Sequence, residues 1–218
     1  DMAVTSVRYD SYLRSVDGFV CNSQATRQAV ERMLTDYHSR PSIVAYPSGS
    51  RFGPTITEAE ILARTQTAGP LRILFVGNLI PRKGLHTLIK ALCQLKNMDW
   101  RLDVVGSTAV NPAYVHHIQS NLPPHVTLHG TLSDGELSGW FRHSHVLAVP
   151  SQHEGFGIVY LEGMGFGLPA VGTTDGGASE VIQNGVNGYL VKWGDTAVLA
   201  EHLLHLSRNR EHLAQMGL

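Results

Sequence analysis

From Leu71 onward the sequence alternates short apolar runs with amphipathic stretches, and this rhythm constrains the fold more than any other feature. The runs are LRILFVG (71–77), RLDVVG (101–106), HVTLHG (125–130), HVLAVP (145–150), LPAVGT (168–173) and GYLV (188–191). Between them, GLHTLIKALCQLK, the AYVHHIQSNL that follows Pro112, and DTAVLAEHLLHLSRN carry apolar residues at helical spacing. Ser133 and Glu136 form a capping pattern before the helix ELSGWFRHS. EGFGIVYLEGMGFG reads as a helix with a glycine-rich front, and GGASEVIQNG as a short helix. Strand–helix alternation of this regularity predicts an α/β fold: a doubly wound parallel sheet with helices on both faces. Such sheets bind ligands beyond the carboxyl ends of their strands.

The first 50 residues follow another pattern. VDGFVCNS and QATRQAVERML read as a strand and a helix, and PSIVAYPSG as one more short strand. That is too little for a domain. Residues 1–50 are therefore expected to be the tail of a preceding domain. Residues 51–70, marked by Gly53, Pro54, Gly69 and Pro70, are expected to link it to a domain over 71–218. A length of 218 residues fits one domain plus such a fragment.

Composition removes several classes of function. The formal net charge is -1 and no Lys/Arg block stands out, so no nucleic-acid partner is expected. No apolar run is long enough to cross a bilayer, which leaves peripheral contact with a membrane as the compatible form of association. Cys21 and Cys93 both sit in apolar surroundings and read as two buried thiols in a reducing, cytoplasmic setting. The 12 histidines include His116-His117, His143-Ser144-His145 and the pair His202 and His205. None has zinc-ligand spacing with a third partner, so no metal site is expected.

Three loops after predicted strands carry candidate chemistry. Gly77-Asn78-Leu79-Ile80-Pro81-Arg82-Lys83-Gly84 follows the first strand. It is neither a G-x-G-x-x-G fingerprint nor a Walker loop. It places two cations where a diphosphate would lie, although a solvated Arg-Lys turn fits equally well. Glu154-Gly155-Phe156-Gly157-Ile158 follows the fourth strand, and Glu162 lies within the helix behind it. Gly155 and Gly157 open backbone N–H groups to an anion. The two carboxylates are spaced too widely for a hydrolase acid/base couple but suit sugar or ribose hydroxyls; the plainer reading is a dipole-favoured Glu and a surface Glu. Thr173 to Glu180 follows the fifth strand and again combines glycines with hydroxyls.

In this order, FVGNLIPRKG, VTLHGTLSDGELSGWFRHSHVLAVPS, EGFGIVYLE and LPAVGTTDGGASEVIQNGVNGYLV resemble the C-terminal domain of the large retaining GT-B glycosyltransferase family with the E-x7-E motif, glycosyl transferases group 1, family 4. FVCNS and IVAYPSGSRF resemble the end of that family's N-terminal domain and its linker. The resemblance implies the Rossmann-like C-terminal half of a GT-B fold plus a short remnant of the other half. It implies transfer of a sugar from a nucleotide-diphosphate donor, with retention, to an acceptor that is a lipid, a glycan or a small molecule. No metal or other cofactor is expected.

By position, Lys83 and Arg82 would meet the diphosphate, together with Gly77 and Asn78. Glu154, with Gly155, Phe156, Gly157 and Ile158, would hold the donor sugar. Glu162 would take the ribose hydroxyls, and Gly130, Thr131 and Leu132 would border the base. Asn78 departs from the family, which often has Arg there, and so removes one cation. The acceptor site, a catalytic His carried by many relatives, and the final helix returning to the N-terminal domain are expected outside this chain. The isolated chain is therefore expected to transfer no sugar. The alternatives are a non-catalytic nucleotide- or glycan-binding module of the same fold, and a sugar-nucleotide epimerase or a phosphorylase. A phosphorylase would need a pyridoxal-phosphate lysine, for which no segment stands out.

Overall fold

The computed structural model describes residues 11–34, 37–53 and 56–218. The first ten residues of the expected tail, and Pro54, lie outside them. Strands β1 (Phe19–Cys21) and β2 (Ser42–Val44) pair in parallel as a two-stranded sheet, with helix α1 (Gln24–Met33) between them in sequence.

The remaining strands are β3 (Leu71–Val76), β4 (Trp100–Val105), β5 (Val126–Gly130), β6 (Val146–Ala148), β7 (Ala170–Thr173) and β8 (Gly188–Val191). They form one six-stranded sheet in the order β5-β4-β3-β6-β7-β8, and every pairing is parallel. Consecutive residues Ile73, Leu74 and Phe75 of β3 are all fully buried, so helices cover both faces of the sheet centre. This is the Rossmann-like architecture that the alternation predicts. Strand order reverses between β3 and β6, so the crevice beyond their carboxyl ends is the switch point where ligands bind in such sheets.

The connecting helices are α3 (Leu85–Leu92), α4 (Pro112–Gln119), α5 (Asp134–His143), α6 (Ile158–Met164), α7 (Thr196–Arg208) and α8 (Arg210–Gly217). Four of them start where side chains cap them, α8 at Asn209, which accepts from His212 N–H. Asn111 accepts from Tyr114 N–H, Ser133 and Glu136 form the expected capping box, and Asp195 accepts from Val198 N–H. The helix read over 84–96 ends at Leu92, and Cys93 is exposed rather than buried. Its apolar neighbours Ala91 and Leu92 turn inward and leave it outside. Cys21 is buried and both thiols are free. The short helix read in GGASEVIQNG is one 3₁₀ turn, Gly177–Glu180, entered at Gly176 (φ 91°, ψ -153°).

A helix within residues 51–70 is not anticipated by the sequence reading. Helix α2 (Glu58–Gln66) begins at a Thr57–Glu60 capping box and packs against α8. Its Arg64 is buried and donates to the carbonyls of Phe141 and Arg142, in the last turn of α5, and of Phe166 and Gly167, just past α6. The guanidinium thus closes two helix C-termini whose carbonyls have no intrahelical partner. Burial lowers its pKa to about 10, so it stays charged at neutral pH.

His145 shows how the same region handles a second buried base. Its Nδ1 accepts from Arg72 N–H at 3.0 Å and lies 3.0 Å from Arg210 Nη1, while Nε2 donates to Arg64 O at 3.1 Å. Burial first, then the Arg72 and Arg210 charges, lower its pKa from 6.5 to about 3. The unfolded chain therefore binds a proton before the folded one does. Stability from this group is fully present above pH 6.5 and is lost as pH falls toward 3, at about 1.4 kcal/mol per pH unit. Urea unfolding near pH 5 should show about 2 kcal/mol less stability from His145 than at neutral pH. His145→Gln should flatten that dependence; an identical pH profile in both proteins would count against the assignment.

Candidate functional site

The loops that follow the two strands flanking the switch point face each other. After β3, the 3₁₀ turn Pro81–Lys83 ends at Gly84, which is left-handed (φ 76°) and starts α3. A Cβ on Gly84 would stand 2.1 Å from Pro150 O, so only glycine lets this turn lie against the chain leaving β6. Gln152 N–H donates to Arg82 O at 2.8 Å and fastens the loops further.

This contact delivers Lys83 to Glu154. Lys83 Nζ lies 2.6 Å from Glu154 Oε1, and Ser151 Oγ donates to the same oxygen at 2.5 Å. Glu154 is 6% exposed and needs both partners to keep its charge away from water. Gly157 is left-handed (φ 88°) and precedes α6; a Cβ there would meet the Tyr160 ring at 2.5 Å. Phe156, Gly157 and Ile158 precede the second residue of α6, so their N–H groups have no intrahelical carbonyl.

Glu162 is buried at 5% exposure on α6. Its Oε1 accepts from Arg51 Nη1 at 3.2 Å, and Arg51 also pairs bidentately with Asp134 at the start of α5. Hydrogen bonding to Asp134 first, and to Glu162, raises the Arg51 pKa. Phe52 beside it sets its ring edge-on to Phe141 and Phe166, which anchors the turn that carries Arg51.

Between these groups lies a cleft of about 480 Å³. Gly77, Asn78, Lys83, Glu154, Gly155, Phe156, Gly157, Ile158 and Glu162 line it, so most of the residues predicted from sequence come together. Arg82, Gly130, Thr131 and Leu132 do not line it. Arg82 Nη1 instead donates to His153 O, which makes it a clasp on the loop after β6. Gly130 ends β5 and accepts from Gly106 N–H, and Leu132 packs against the core. Asn22 and Pro47, from the first 50 residues, form part of the wall and were not foreseen. Neither were Arg51 and Ser151. Only the three-dimensional contact identifies them, although the polar Asn22 directly after strand FVC was a weak signal.

A larger cleft, about 940 Å³, opens beside α5 on one face of β3 to β5, between Arg72, Arg101, His129 and Trp140. It holds none of the motif residues; the smaller cleft, where the switch point and the paired charges coincide, is the candidate site. Among the described residues no three His, Cys, Asp or Glu side chains gather as a metal would require, and no helix is long and apolar enough to cross a membrane.

Comparison with known proteins gives the same architecture. The structure of Anabaena HepE in complex with UDP and glucose superposes with a TM-score of 0.80 at 23% identity, over 95% of this chain and 60% of that one. Sucrose-phosphate synthase from Thermosynechococcus elongatus superposes with a TM-score of 0.82 at 22% identity, over 99% and 55%. An uncharacterized glycosyltransferase of Methanocaldococcus jannaschii is 33% identical over 144 residues, 66% of this chain and 40% of its own length. A D-inositol 3-phosphate glycosyltransferase of an Arthrobacter species is 30% identical over 223 residues, 96% of this chain and 52% of its own length. The chain thus spans about half the length of the curated relatives it matches. Residues 58–217 match the family Glycosyl transferases group 1, and the chain belongs to that family.

Proposed function

We propose that this chain is the donor-binding part of a glycosyltransferase that moves a sugar from a nucleotide-diphosphate sugar to an acceptor with retention of anomeric configuration. The observation that carries the proposal is the Lys83–Glu154 pair at the switch point, in a cleft bordered by glycine-opened N–H groups. Lys83 has three donors and spends one on Glu154, which leaves two for phosphate oxygens. Glu154 Oε1 carries both Lys83 and Ser151, so Oε2 is the oxygen that would receive a sugar hydroxyl. Phe156 and Gly157 N–H would accompany it. Glu162 gives Oε1 to Arg51 and would offer Oε2 to the ribose.

The work of such a site is electrostatic. A cation and fixed N–H dipoles stabilise the charge that grows on the leaving nucleoside diphosphate. Arg82 supports this arrangement through the loop it clasps. The UDP and glucose in the complex with HepE suit a donor of this class, and with a division at 50 and 70 the acceptor would lie on the side of the preceding domain. A non-catalytic nucleotide- or glycan-binding module is the second reading, and Asn78 favours it, because it leaves the diphosphate one cation short.

The test is titration calorimetry of the chain with UDP, GDP and ADP, with and without a chelator. Binding of at least one of them, unchanged by the chelator, is expected, since among the described residues no three His, Cys, Asp or Glu side chains gather to hold a bridging cation. Binding that vanishes with the chelator would overturn the metal-free site, and no binding at all would overturn the donor reading.

A further inference from the structure

The Glu180 carboxylate lies outside the donor cleft, yet three donors from the first 50 residues converge on it. Its Oε2 accepts from Gln24 N–H at 2.8 Å and from Tyr46 OH at 3.0 Å, and its Oε1 accepts from Ala25 N–H at 2.8 Å. Gln24 and Ala25 are the first two residues of α1, whose N–H groups have no intrahelical carbonyl. Thr26 N–H donates to Ser23 Oγ and Arg27 N–H to Ser23 O, which completes the first turn. Helix α1 has no acidic residue of its own in that turn. The negative charge that a helix start favours is supplied from 155 residues away.

The same segment reaches the cleft. Ser23 Oγ donates to Gly155 O, and Thr26 Oγ1 donates to Asn22 Oδ1 at 2.7 Å, which orients one wall residue. The Tyr46 ring lies against Phe156 at 5.6 Å, next to Pro47, the other wall residue.

We propose that Glu180 is a positioning residue for this cleft: it anchors α1 and Tyr46 so that Asn22 and Pro47 stand as the far wall, and nucleotide affinity depends on that anchor. The proposal rests on the donor reading of the cleft and adds to it a residue that touches no ligand. Without the carboxylate, two N–H groups and a phenol turn to water, and the hydroxyls of Ser23 and Thr26 are left to tie the segment to the loop at Gly155.

Hydrogen exchange and calorimetry together test it, on wild type, Glu180→Ala and Glu180→Gln. The glutamine keeps one acceptor oxygen and so should fall between the other two. Exchange across residues 24–33 should be about tenfold faster or more in Glu180→Ala, while β3 and β6 stay as protected as in wild type. Affinity for whichever of UDP, GDP and ADP binds wild type best should fall about tenfold. Unchanged exchange in α1 would overturn the anchor. So would a rise shared equally by α1, β3 and β6, which would mark Glu180 as a support of the whole fold. Faster exchange in α1 with unaltered affinity would overturn the link to the cleft. A wild type that binds no nucleotide would instead overturn the donor reading, and exchange alone would then decide on the anchor.

Discussion

Lys83→Ala is expected to destabilise the fold by about 3 kcal/mol and to weaken nucleoside diphosphate binding about a hundredfold. The two losses have different origins. Glu154 is buried, and among the described residues Lys83 is its only cationic partner; Ser151 would be left as a single hydroxyl donor. Breaking such a pair strands a charge away from water, which costs more than the pair contributes when intact. The side chain of Lys83 remains 18% exposed, which places the cost at the lower end of the range for buried pairs. The binding loss comes from the two donors that phosphate would use. A double variant, Lys83→Ala with Glu154→Gln, separates them. It should regain most of the stability in urea unfolding, because no charge is stranded, and should still bind nucleotide poorly. A double variant as unstable as the single one would point to lost packing instead of a stranded carboxylate. Wild-type affinity in Lys83→Ala would remove Lys83 from the diphosphate site.

Glu162→Ala is expected to weaken ribonucleoside diphosphate binding by about ten- to a hundredfold, the worth of charge-assisted bonds to two hydroxyls. The same substitution should matter much less for a dideoxyribonucleoside diphosphate, which offers the carboxylate nothing even in wild type. Titration of both proteins with both ligands gives the comparison. Arg51 makes the control necessary. It bridges Glu162 and Asp134, so removing Glu162 frees one of its arms inside the cleft wall. Equal losses for both ligands would trace the effect to that rearrangement. No loss for either would leave Glu162 as a structural partner of Arg51.

Much of this fold was legible because its signals are local. The strands read at 71–77, 101–106 and 188–191 end within one residue of β3, β4 and β8, since each is an apolar run closed by glycine or a polar residue. The strands read at 145–150 and 168–173 are longer than β6 and β7, because Pro150 and Pro169 interrupt the ladder that the apolar pattern alone would continue. Helix α2 was hidden between Gly53-Pro54 and Gly69-Pro70, although the Thr57–Glu60 capping box was there to be read.

The candidate site divides along the same line. Lys83, Glu154 and Glu162 stand out by their loops and spacing. Arg51 meets Glu162 across 111 residues, and Glu180 meets α1 across 155, so no window of sequence contains either pair. Adjacency in sequence predicts that Arg82 and Lys83 act side by side. The 3₁₀ turn sends the two side chains apart, one to Glu154 and one to His153 O. Cys93 fails for a related reason: apolar company in sequence does not make a residue face inward when its helix ends beside it.

The reach of Arg64 settles where this domain can be joined to a foreign one. A graft beginning at Leu71 would carry all six strands and every residue of the E-x7-E segment. It would leave behind the guanidinium that closes α5 and α6, and the carbonyls of Phe141, Arg142, Phe166 and Gly167 would open into the interior without a donor. A chimera that is to keep its helices seated therefore needs its junction ahead of Thr57, so that α2 travels with the sheet it caps.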